Sequence, residues 1–282
     1  MHTTLISTDD LAARLADPSF VIVDVRHDLA QAETWGEAEY RRAHLPGARF
    51  AHVDRDLSAP KSGTNGRHPL PGPEACSALF GRLGIDATKQ VVAYDQGTGM
   101  YAARLWWMLR RFGHDAAAVL DGGYAAWVRE GRPVTAATPP AAGATFVARG
   151  VGPVVDAQTV ADSLARRSLL LIDARGRERF RGDLDPIDPV AGHIPGSVNR
   201  PYLENLDADG TFKPAATLRA EFGALVAGRA PAAIVHTCGS GVSACHNLLA
   251  MERAGLDGGR LYAGSWSEWC ADPARPVARG DA

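Results

Sequence analysis

The chain has 282 residues, 46% hydrophobic and 22% charged, the balance of a soluble globular protein with enough apolar material for two modest domains. A formal net charge of −2 leaves no general basic field, which gives nucleic-acid binding no support and suits small-molecule chemistry better. No apolar run reaches transmembrane length, and "MHTTLISTDDLAARL" lacks the basic and apolar regions of a signal peptide, so no membrane association is expected.

In chain order, "FVIVDVR" at 20–26 reads as a buried strand and "AHLPGA" at 43–48 as a turn. "VVAYDQGTGMYAA" at 91–103 reads as strand, loop and helix, and "DGGYAAW" ending at Trp127 as a further helix. The stretch 135–146, "TAATPPAAGATF", is rich in Ala, Pro and Gly without amphipathic periodicity and reads as linker. The series then recurs as "LLLIDAR" at 169–175, "GHIPGS" at 192–197, "AIVHTCGSGVSAC" at 233–245 and "AGSWSEW" ending at Trp269. The same 149 positions separate Asp24 from Asp173 and His44 from His193, the regularity of a duplication. Strands alternating with helices in each half imply an α/β fold with a mainly parallel sheet. The expected organisation is a first domain over 1–140, a linker over 141–150 and a second domain over 151–282.

The segment "AAIVHTCGSGVSACHNLLAM", 232–251, places a cysteine where an apolar run gives way to small residues. It reads as a strand through Val235, a tight loop from Cys238 and a helix starting near Val242. Loop amides and a helix amino terminus both favour a thiolate over a thiol, the requirement for a cysteine nucleophile. The structural alternative is a small buried hydrophobe. The duplication is an internal control, because the loop position of Cys238 is held in the first half by Asp95. One loop is competent and the other altered, and in open α/β sheets chemistry sits at the carboxyl ends of strands. Cysteines at 76, 238, 245 and 270, with no CxxC spacing, fit a reducing, cytoplasmic setting.

The paired Asp-x-Arg strands, the His-Leu/Ile-Pro-Gly segments, the cysteine loop and the late tryptophans together resemble the two-domain rhodanese family over nearly the whole chain. That resemblance implies tandem rhodanese-like domains, with the first lacking a catalytic cysteine, and sulfur transfer through a persulfide on Cys238. "CGSGVSA" is similar to the CGSGVTA loop of 3-mercaptopyruvate sulfurtransferases, in which Gly239, Gly241, Val242 and Ser243 would line the donor site. Arg179 matches the family arginine for the donor's anionic group, a guanidinium being suited to a carboxylate. A proposed proton relay would fall on Ser240, His68 and Asp54. No metal or organic cofactor is implied. The partners implied are a small-molecule sulfur donor and an acceptor: a small thiol, a thioredoxin-like protein or cyanide.

The chemistry favours the same donor. Thiosulfate leaves as sulfite and calls for cations near the loop, which Gly239 and Ser240 do not supply; mercaptopyruvate leaves as an enolate that must be protonated. In "LDPIDPVAGHIPG" the second donor arginine of the animal enzymes is missing and Asp185 and Asp188 stand there; Arg67, Arg181 or a backbone group are possible replacements. Thiosulfate:cyanide transfer is therefore the alternative activity. His44 and His193, Asp24 with Arg26, and Asp173 with Arg175 recur in both halves and are expected to be structural, with the tryptophans in core packing. A cysteine phosphatase needs arginine where Ala244 stands. The two Gly-x-Gly-x-x-Ala matches do not open the first βαβ unit as a dinucleotide site would. His236, Cys238, Cys245 and His246 are not expected to form a metal site, and a noncatalytic sulfur-carrier or interaction module is the remaining alternative.

Overall fold

The computed structural model describes residues 1–141, 143–150 and 152–281. Ala142 of the expected linker, and Val151 and Ala282 at the ends of the expected second domain, lie outside the described residues. In the first half the strands are β1 (Leu5–Ile6), β2 (Phe20–Asp24), β3 (Arg49–Phe50), β4 (Gln90–Tyr94) and β5 (Ala117–Leu120). The helices between and after them are α1 (Thr8–Ala12), α2 (Trp35–Arg42), α3 (Pro73–Arg82), α4 (Met100–Arg111) and α5 (Gly123–Arg129). The second half repeats the series with β6 (Val154–Val155), β7 (Leu170–Asp173), β8 (Val198–Asn199), β9 (Ile234–Thr237) and β10 (Arg260–Tyr262). Its helices are α6 (Ala157–Arg166), α7 (Arg177–Arg181), α8 (Ala215–Val226), α9 (Ser243–Arg253) and α10 (Ser265–Trp269).

Each half forms its own five-stranded parallel sheet, ordered β1-β5-β4-β2-β3 and β6-β10-β9-β7-β8. Helices cover both faces of such a sheet, which is why the central strands are continuous β-branched and apolar runs, not alternating ones: Val21, Ile22 and Val23 in β2 and Leu171 and Ile172 in β7 are all buried. One core packs Leu11, Ile22, Val92, Tyr94 and Trp127; the other packs Val160, Leu171, Val235, Tyr262, Trp266 and Trp269. The tryptophans are core residues, and Trp127 and Trp269 each donate their indole N–H to a proline carbonyl, Pro133 and Pro276.

The two-residue strands β1 and β6 and the five-residue helix α1 are too short to show a period, and α3 between β3 and β4 is a further addition to the sequence expectation. Its Gly72-Pro73 start, with Pro in the first helical turn, is the signal that marks it. Strand β9 runs two residues beyond Val235, because His236 and Thr237 continue the ladder against Ile172 and Asp173. The compact units do not follow chain order throughout. The first contains Met1–Ala59, Leu70–Gly152 and Ala208–Phe212; the second contains Pro60–Pro69, Pro153–Asp207 and Lys213–Ala282. The segment 60–69, which carries Arg67 and His68, therefore packs as part of the second unit.

The recurrent motifs are structural in both units. Arg26 donates Nη2 to Asp24 at 2.7 Å and to the Ala43 carbonyl at 2.7 Å; Arg175 does the same to Asp173 and the Gly192 carbonyl at 2.8 Å each. His44 bonds the Tyr40 carbonyl and stacks on its ring, and His193 repeats this with Phe180.

Candidate active site

Cys238 is the first residue after β9, and its backbone amide donates to Ser265 Oγ at 3.0 Å. The next turn folds back so that the amides of Ser240 and Gly241 point at Cys238 Sγ, 3.4 and 3.1 Å away. This turn needs Gly241, whose φ is +76° and whose absent Cβ would lie 2.3 Å from the Ala263 carbonyl oxygen. Val242 then caps α9, an eleven-residue helix whose first turn starts at Ser243. Cys238 is 1% exposed, so a negative sulfur here is held by amide dipoles in a site from which most water is excluded. The loop is pinned to the chain after β10, where Trp266 and Ser267 donate their amides to the carbonyls of Cys238 and Gly239 at 3.0 Å.

Ser240 Oγ lies 2.7 Å from His68 Nδ1, a hydrogen bond whose proton position depends on the imidazole tautomer. The neighbouring Arg67 amide donates to Ser267 Oγ at 3.0 Å, which fixes the 60–69 segment over the loop. The sequence-predicted pair Ser240 and His68 is thus brought together. Asp54 belongs to the first unit, where its Oδ2 lies 3.9 Å from His27 Nε2 and its amide donates to His52 Nδ1; its place in the relay rests on the resemblance.

Arg179 and Arg67 both reach Gly239, where a Cβ would meet Arg67 Nη2 at 2.7 Å and Arg179 Nη2 at 3.4 Å. They belong to a ladder of alternating charge. Arg175 faces Asp185 at 3.5 Å; Asp185 accepts from Arg179 Nε at 3.0 Å; Asp188 accepts from Arg179 Nη2 at 2.7 Å and from Arg67 Nη1. Burial pushes the Asp188 carboxyl up, while the Arg67 and Arg179 guanidinium groups pull it down. Arg181 sits apart, paired with Asp183 and Asp281, so of the two arginines Arg67 and Arg181 it is Arg67 that reaches the loop.

A family model described as a rhodanese-like domain matches this chain twice, over residues 7–130 and 156–272. The chain belongs to the rhodanese-like family. It is 45% identical to the probable 3-mercaptopyruvate sulfurtransferase of Pseudomonas aeruginosa, over 98% of both chains. It is 38% identical to the putative thiosulfate sulfurtransferase SseB of Mycobacterium tuberculosis, over 99% of this chain and 98% of the other. Among solved structures, the 3-mercaptopyruvate sulfurtransferase from Leishmania major superposes with a TM-score of 0.83 at 29% identity, covering 95% of this chain and 74% of that one.

The rhodanese loop has an altered counterpart in the first unit. Strand pairing matches Tyr94 with Asp24 and Thr237 with Asp173, so Asp95 and Cys238 are each the first residue after equivalent strands. The Asp95 carboxylate fills its own loop, accepting from the amides of Gly97, Gly99 and Tyr101 at 2.9 Å each. The amide cradle is therefore retained but occupied by a side-chain anion. Two residues packed around the Cys238 loop are not marked by the sequence motifs. One is Ser265, buried at φ +54°, whose hydroxyl accepts from the Cys238 amide and donates to the Tyr262 carbonyl at 2.9 Å; its place four residues before Trp269 of the repeat, where the first half has Gly123, is the available clue. The other is Asp188, which was read as a departure from the family pattern and not as a partner of arginine.

Proposed function

We propose that the protein is a sulfurtransferase that takes sulfur from 3-mercaptopyruvate onto Cys238 and passes it to a thiol or cyanide acceptor. The observation that carries this reading is the pair of amides aimed at Cys238 Sγ, with the Ser240 hydroxyl on the same turn bonded to His68. The names of the relatives support sulfur transfer generally, and the P. aeruginosa relative supports this donor.

The Cys238 thiolate attacks the donor sulfur, forming an S–S bond as the C–S bond breaks with its electron pair moving to carbon. The donor's thiol proton passes through Ser240 and His68 to that carbon, so pyruvate leaves and a persulfide remains on Cys238. Arg179 holds the donor carboxylate, and the amides of Ser240 and Gly241 hold the charge on sulfur. Gly239, Gly241, Val242 and Ser243 form the floor and the helix-start wall of this site. In the second half-reaction an acceptor thiolate or cyanide attacks the outer sulfur and restores the Cys238 thiolate. A small thiol or a thioredoxin-like protein suits this step. The four cysteines, all free thiols, suit a reducing, cytoplasm-like compartment. No helix among the described residues is long and apolar enough to cross a membrane.

Thiosulfate is the second reading, favoured by the two guanidinium groups beside Gly239. A comparison of kcat/KM for 3-mercaptopyruvate and thiosulfate, with Cys238→Ser as control, tests the assignment. Mercaptopyruvate preference with loss of turnover in the variant is expected; thiosulfate preference overturns the donor, and an active variant overturns the mechanism.

A further inference from the structure

Two arginines beside the nucleophile loop would ordinarily favour a doubly charged donor, but here a buried carboxylate lies between them. Asp188 has a side chain only 2% exposed, against 25% for Arg67 and 22% for Arg179. It offers one oxygen to each guanidinium. From the strand end outward, Asp173, Arg175, Asp185, Arg179, Asp188 and Arg67 alternate in sign and sum to zero before any donor enters. Cys270 also faces Asp188, and burial together with that carboxylate pushes its thiol up, toward the neutral form.

We propose that Asp188 sets the charge selectivity of the donor site, by holding Arg67 and Arg179 as a compensated pair that accepts a singly charged carboxylate donor and disfavours a dianion. This deepens the sulfurtransferase reading and rests on it. A monoanion entering the ladder leaves it with one net negative charge, a dianion with two, and in a partly buried site the second charge is poorly screened. Arg67 contributes directly. Its Nη2 stands beside Gly239, 2.7 Å from where a Cβ would lie, while its Nη1 is held by Asp188. Selectivity would thus lie in the 60–69 segment and the turn after α7, outside the Cys238 loop.

The test is steady-state kinetics of the full-length protein with 3-mercaptopyruvate and with thiosulfate, cyanide as acceptor, at low and high ionic strength. Asp188→Asn keeps the shape and removes one negative charge. It is expected to raise the thiosulfate-to-mercaptopyruvate ratio of kcat/KM about tenfold, chiefly through the thiosulfate KM, with the gain shrinking in high salt. Asp188→Glu should stay near the wild-type ratio. Should Asp188→Asn fail to fold by circular dichroism, Arg67→Gln carries the test in the opposite direction, lowering the ratio by a similar factor. An unchanged ratio in an active, folded variant overturns this inference alone. A wild-type protein that turns over neither donor overturns the sulfurtransferase reading, and this inference with it.

Discussion

Ser240 and His68 are 172 residues apart in the chain, yet Ser240 Oγ and His68 Nδ1 lie within 2.7 Å. The hydroxyl is carried on the same turn whose amides face Cys238 Sγ, so a proton shared by His68 and Ser240 is held on the loop that surrounds this sulfur. A donor that leaves as a carbanion equivalent requires that proton, and one that leaves as sulfite does not. His68→Asn should therefore lower kcat for 3-mercaptopyruvate by roughly 100-fold, within the usual range for a lost general acid, and lower thiosulfate turnover far less. Equal losses with both donors would assign His68 to positioning instead of proton transfer.

Ser265 adopts a positive φ of 54°, which costs a non-glycine residue on the order of 1 kcal/mol, and its hydroxyl holds the Cys238 amide. Ser265→Gly relieves the backbone and deletes the hydrogen bond. It should leave the melting temperature within a few degrees of wild type while reducing kcat severalfold, since the sulfur's loop loses its anchor. Ser265→Ala keeps the strain, loses the bond and should be the less stable of the two. Thermal denaturation beside the donor assay separates these effects.

The loop glycines should differ from each other. A Cβ at Gly241 meets a backbone carbonyl at 2.3 Å and requires φ +76°, whereas a Cβ at Gly239 meets the tip of the Arg67 side chain. Gly241→Ala should destabilise the second unit by about 2 kcal/mol and abolish most activity. Gly239→Ala should fold normally, raise the donor KM and change kcat little, because a flexible guanidinium can yield where a carbonyl cannot. Urea titration and steady-state kinetics check the pair.

The core of the second unit should also leave a mark on acid stability. His236 is fully buried, with Nδ1 unpartnered among the described residues and Nε2 against Met251 Sδ, and burial pushes its pKa down from 6.5 to about 3. The unfolded chain therefore binds a proton that the folded chain refuses between those values. Stability from this group is fully present above about pH 6.5 and falls as the pH drops toward 3, by at most about 1.4 kcal/mol per pH unit. His193 and His114 are lowered by burial in the same direction. His236→Leu should flatten the acid limb of a stability-against-pH curve; an unaltered slope would show that His236 does not contribute to it.

Cys238 stands out in the sequence as the candidate nucleophile because it sits where two local patterns meet, an apolar strand and a glycine-serine turn. The parallel α/β fold was legible because the halves repeat. Tertiary placement was less accessible. Arg67 is 121 residues from Asp188, and no local pattern says that segment 60–69 packs with the second unit. Gly239 and Ser240, the neighbours of Cys238 in sequence, carry no cation. Packing brings Arg67 and Arg179 to the same place, together with the carboxylates that offset them. Asp95 was read as an altered counterpart; that its carboxylate would fold back onto Gly97, Gly99 and Tyr101 is a property of the loop's shape, not of the residue alone.

The most direct test of the account is the mass of the protein after brief incubation with 3-mercaptopyruvate and no acceptor, with peptide mapping of the modified cysteine. The account predicts one added sulfur on the peptide carrying Cys238, removed by cyanide and absent from Cys238→Ser. Sulfur on Cys245 or Cys270 instead, or turnover that persists in the Cys238→Ser protein without a persulfide, would contradict it.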